Sequence, residues 1–166
     1  EFKIEEILSS MNDGDSKKIV TSKNITTSET EEMESSIKLM KSMIIALGES
    51  FLPYLETSQK EIIPLLNYKL NSNIRCEAVK TLPHMLECVA KYSTKEIAGN
   101  VAKFYLSEIM SSVQNDNEPD NTAFYCKLKR IGKVVSLIDY FLTKDELNKL
   151  FENLSLLIDE TEKRRP

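Results

Sequence analysis

Few stretches of this sequence put reactive side chains at the spacings that chemistry requires. His84 is the single histidine. It lies between Pro83 and Met85, and no motif sets a partner against it as a base–nucleophile pair would need. It reads as a packing or surface residue. Cys76, Cys88 and Cys126 are three thiols whose odd number and spacing fit neither zinc nor a redox pair. They read as small buried thiols in a reducing compartment. Asp145-Glu146 reads as a helix start, and Asp159-Glu160 as a solvated face. Lys163-Arg164-Arg165 has the composition of a localisation signal, but cationic charge at a helix C-terminus explains it more simply. Asn24-Ile25-Thr26 and Asn153-Leu154-Ser155 fit the glycosylation pattern, which is common by chance. Gly-rich phosphate loops and metal-ligand spacings are absent from the sequence. The expectation is a binding surface rather than an enzyme, with no catalytic residue, metal or cofactor. The partner-binding residues themselves are not marked by any motif.

The bulk composition agrees. The chain has 166 residues, enough for one domain with a real core. Apolar residues make up 41% and charged residues 29%, the balance of a globular chain. Glycine is scarce and Trp absent, while Leu, Ile, Lys and Glu abound, which favours helix. The net charge of −4 speaks against a broad nucleic-acid surface. No apolar run is long enough to span a bilayer, so membrane insertion is not expected. The chain starts without Met and stops at a charged helical tail, which suggests a piece of something longer.

The elements that must hold such a surface are helices. Residues 1–28 read as an extended or flexible lead-in, with one helical turn near Glu5–Ser10. Helix one is expected from Ser28 or Thr30, behind Glu29, Glu31, Glu32 and Glu34, where the helix dipole favours negative charge. Met33, Ile37, Met40, Ile44 and Leu47 recur at helical spacing, and Gly48 is a stop. Helix two is expected from Thr57 or Ser58 to Leu70, with Ile62, Ile63, Leu66 and Leu70 on its apolar side. Asn71-Ser72-Asn73 is a turn and N-cap signal. Helix three follows to Lys91, carrying Ile74, Ala78, Leu82, Met85, Leu86 and Val89. Pro64 and Pro83 fall inside helices two and three. The apolar spacing continues past both, so bends are expected rather than breaks.

Ser93-Thr94 caps helix four, with Ile97, Val101, Tyr105, Ile109 and Val113 on its apolar side. The polar stretch QNDNEPDN is a loop. Helix five is expected from Pro119 to Leu142, carrying Phe124, Leu128, Ile131, Val135, Ile138 and Leu142. Thr143 and Glu146 form a capping box for helix six. That helix carries Leu147, Leu150, Phe151, Leu154, Leu157 and Ile158.

Odd-numbered helices start near Glu29, Asn73 and Asp120, a period of roughly 45 residues, within the HEAT and armadillo range. The fold expected is all-α: an α-solenoid of about three HEAT repeats, six antiparallel helices, over residues 29–166. The pairs fall at about 29–71, 73–115 and 119–163. In such an array each pair buries its apolar flank on the next.

The stretch GESFLPYLETSQKEIIPLLNYKLNSNIRCEAVKTLPHMLECVAKY resembles the importin beta (karyopherin beta) family, most of all its beta-3 importin branch. Phe51-x-x-Tyr54 ahead of Ile63-Pro64-Leu65-Leu66 carries the likeness. So do Ile74-Arg75 with Ala78, and Leu82-Pro83 followed by Met85-Leu86-Glu87-Cys88. Leu106-Ser107-Glu108-Ile109-Met110 and Asp145-Glu146-Leu147 fall in helices of similar order. The likeness spans most of residues 29–160, and the Asn- and Lys-rich loops depart from it. It implies a fragment of a nuclear transport receptor working between cytoplasm and nucleus. The implied partners are cargo proteins with basic localisation signals, Ran-GTP and Phe-Gly nucleoporins. It also implies that helices two, four and six line the concave side. The alternative is a structural HEAT-repeat scaffold of a multiprotein complex.

Overall fold

A computed structural model of the chain describes residues 16–116, 121–138 and 141–163. These residues are helical or lie in short connections, and no strand occurs among them. Six α-helices follow in order: α1 (Ser16–Leu47), α2 (Leu55–Ile62), α3 (Ser72–Tyr92), α4 (Lys95–Gln114), α5 (Thr122–Leu137) and α6 (Lys144–Lys163). Two 3-10 segments, Gly48–Tyr54 and Ile63–Asn67, flank α2.

Several helix ends have the expected local cause. Gly48 takes φ +52° and stops α1, a conformation that costs glycine little. Asn71 caps α3, its side-chain oxygen accepting from the Asn73 N–H at 2.8 Å. Thr94 caps α4, its hydroxyl oxygen accepting from the Ile97 N–H at 3.2 Å. Each satisfies a backbone donor that the helix leaves unpaired.

Four expectations need correction. First, α1 begins at Ser16, so the second half of the supposed extended lead-in is helical. Hydroxyl and β-branched residues cost a helix only tenths of a kcal/mol each, and lengthening an existing helix avoids the cost of nucleation. Residues 1–15, with the turn expected at Glu5–Ser10, lie outside the described residues. Second, the second helix turns 3-10 at Ile63 and ends at Asn67 rather than Leu70. Pro64 cannot donate, and Tyr68 is already extended at φ −63°, ψ 118°. By contrast α3 runs unbroken across Pro83. Third, α5 stops at Leu137, where Ile138 leaves helical geometry. Fourth, Leu47, Leu70, Ile97 and Phe151 are exposed rather than packed. On α4 the buried face is turned toward Ala98, Gly99 and Ala102, small residues that let neighbours come close.

The core runs through α3. Ile74, Ala78, Val79, Leu82, Met85, Leu86 and Val89 are all buried there. Its largest contacts are with α5 and α1, and it packs on α4 as well. Side-chain bridges fix the directions. Lys41 on α1 meets Glu77 on α3 at 2.9 Å, and further along Cys88 donates to the Gly48 carbonyl at 3.1 Å. Cys126 on α5 meets the Cys76 carbonyl, and Lys133 meets Glu87 at 3.0 Å. So α1, α3 and α5 run the same way. Among the other helices, Gln59 of α2 donates to the Tyr105 hydroxyl of α4 at 2.6 Å. Ser112, two turns on, lies 3.0 Å from the Leu66 carbonyl and 2.8 Å from Asn67 Oδ1. Lys103 of α4 pairs with Glu146 of α6 at 2.7 Å.

Candidate binding groove

A groove of about 420 Å³ opens between α4 and α6. Leu106, Met110, Leu142 and Leu150 make its apolar floor. Ser107, Ser111, Gln114 and Asn153 supply neutral polar edges, and Lys149 a cation.

Two contacts set its width. At the first, Gly99 lies against the Phe141 ring, so closely that a Cβ there would fall inside it. Phe141 belongs to the connection between α5 and α6, so this contact fixes where α6 begins. At the second, Lys103 pairs with Glu146 and also lies 5.5 Å from the centre of the Phe141 ring. Glu146 is held by the expected capping box. The Thr143 N–H and hydroxyl both donate to Glu146 Oε2 at 2.9 Å, and the Glu146 N–H donates to Thr143 Oγ1 at 3.3 Å. Lys103, then the Thr143 donors, hold the Glu146 carboxyl down to about 2. The ion pair is therefore kept throughout the neutral range.

Chemically the groove suits an apolar side chain with polar backbone around it. The floor removes apolar surface from water, and the hydroxyl and amide edges can meet a partner's peptide groups.

The residues singled out for chemistry lie elsewhere. His84 is half-buried on α3, its Nδ1 3.2 Å from Glu87. Burial pushes the Glu87 carboxyl up, but Lys133 and His84 outweigh it and hold it low. Glu77 is similar: burial raises it, and Lys41 and Lys80 together bring it below its ordinary value. Burial pushes Cys76 up to about 11, aided by the Cys126 thiol, and also raises Cys88. Of the acidic pairs, Asp145 and Glu146 sit in the first turn of α6, and Asp159 is exposed. Arg164 and Arg165 lie outside the described residues. In the sequence, Leu106–Met110, Leu142, Leu150 and the Thr143–Glu146 box are each marked separately, with nothing to join them into a groove. Its floor joins residues some forty positions apart. No protein-family model matches the chain.

Proposed function

We propose that the chain is a HEAT-repeat solenoid segment of an importin beta-type transport receptor, one that binds protein cargo and is regulated by Ran-GTP. One observation carries the stacked-repeat part. Hydrogen bonds between parallel helices join residues 36, 40, 45, 46 and 50 positions apart. These offsets bracket the period of roughly 45 residues between odd-numbered helix starts, and each links a helix, with its flanking 3-10 turn, to the next helix but one. That is how repeats piled in register contact one another. Leu39, Met43 and Leu47 also leave an exposed apolar stripe on α1, as the open flank of an array would.

The transport part rests on the motifs at Phe51–Tyr54, Ile63–Leu66, Ile74–Ala78 and Leu82–Cys88. The groove between α4 and α6 then belongs to the protein-binding side. Pull-down of the complete polypeptide carrying these residues, against Ran loaded with GTP or GDP and against Phe-Gly repeats, tests it. Ran retained only with GTP supports the proposal. Retention of neither ligand, with stable co-purification of fixed subunits, would replace it by a structural scaffold.

A further inference from the structure

We propose that Cys76 and Cys126 form a modification site, at which a peroxide converts two thiols into a disulfide stapling α3 to α5. The two residues come from different helices and meet across the most extensive interface in the fold. Cys126 Sγ lies 3.8 Å from the Cys76 carbonyl oxygen, and the two thiols are near enough to interact electrostatically. Their environments differ. Cys126 is half-buried, whereas Cys76 is 5% exposed. The third thiol, Cys88, is engaged elsewhere, donating to the Gly48 carbonyl.

The chemistry divides between the two residues. Access directs the peroxide to Cys126. Its sulfur takes one peroxide oxygen, the O–O bond breaks, and sulfenic acid and an alcohol or water form. Cys76, buried and held mostly as the thiol, does not compete for oxidant. It then attacks the Cys126 sulfur, loses its proton, and expels the sulfenic oxygen as water. Two thiols have given two electrons to one peroxide. The product locks two neighbouring helices of one row and restricts their sliding.

Peptide mapping of the full chain after stoichiometric hydrogen peroxide, without reduction, tests this. The expected product has lost two hydrogens and carries a Cys76–Cys126 bridge that dithiothreitol reverses. The bridge should persist in Cys88→Ser and vanish in Cys126→Ser. Cys126 over-oxidised while Cys76 remains free for alkylation would overturn the proposal, as would a bridge through Cys88 or between two chains. Because the wild-type map alone decides, a poorly folded variant does not spoil the test.

Discussion

Lys127 Nζ lies 2.7 Å from Asp116 Oδ2, and the two side chains are 1% and 3% exposed. The same ammonium donates to the Ser112 carbonyl at 3.1 Å. Burial pushes Lys127 below its ordinary value, and Asp116 opposes that. This pair ties α5 to the end of α4, where Ser112 also reaches back to Leu66 and Asn67. Charges taken this far from water are tolerable only when matched.

Lys127→Met should therefore cost about 3–5 kcal/mol, because it leaves the Asp116 carboxylate buried without its cation. Adding Asp116→Leu should recover part of the loss. Urea unfolding of the two singles and the double would measure it, and additive losses would argue against coupling.

Two glycines should answer in opposite directions. Gly99→Ala drives a methyl into the Phe141 ring and should cost about 1–3 kcal/mol by overpacking. It should also widen the groove, seen as faster amide exchange at the start of α6. Gly132 is exposed inside α5 with open space around it. Gly132→Ala should raise stability by about 0.5–1 kcal/mol. Thermal melts of both variants would check the signs.

Acid should loosen α6. The Glu146 carboxyl, ordinarily near 4.5, is held at about 2 in the fold. Its folded-state value is depressed, so its contribution is complete above about 4.5 and is lost as pH falls through the folded value. Glu77 and Glu87 are shifted the same way and add to this acid limb. Stability measured from pH 7 downward should fall in that window. Glu146→Gln should make the fall shallower.

How far the sequence reveals all this depends on range. Asn71, Thr94, Gly48 and the Thr143–Glu146 box act within a few residues, so the helix ends they make are legible. The alternation of Ile74, Ala78, Leu82 and Val89 likewise marks the buried face of α3. Longer-range effects are not legible. Ile97 looks like a core residue by spacing, yet the approach of Phe141 to Gly99 turns the small face of α4 inward. Phe141 lies 42 positions from Gly99 in the chain, with no local signal to join them. The start of α1 is missed for a different reason: weak helix formers there are carried by the strong helix that follows.

Leu66→Asp or Leu86→Asp should unfold the chain, since both leucines are at most 1% exposed and a lone charge there finds no partner. Leu39→Asp, at a residue 62% exposed, should leave folding within about 0.5 kcal/mol. Circular dichroism at rising temperature separates the two results.

Stacked rows require α3 to stand between α1 and α5. Leu39 on α1 and Tyr125 on α5 are both exposed, and both lie level with the start of α3 through the Lys41–Glu77 and Cys126–Cys76 contacts. Spin labels at these two positions, in a chain with its native thiols replaced, would give the distance by dipolar spectroscopy. Two helix spacings, a separation of at least about 16–20 Å, is the predicted result. A separation of one spacing, about 8–10 Å, would put α1 directly on α5 and contradict the stacked-repeat fold.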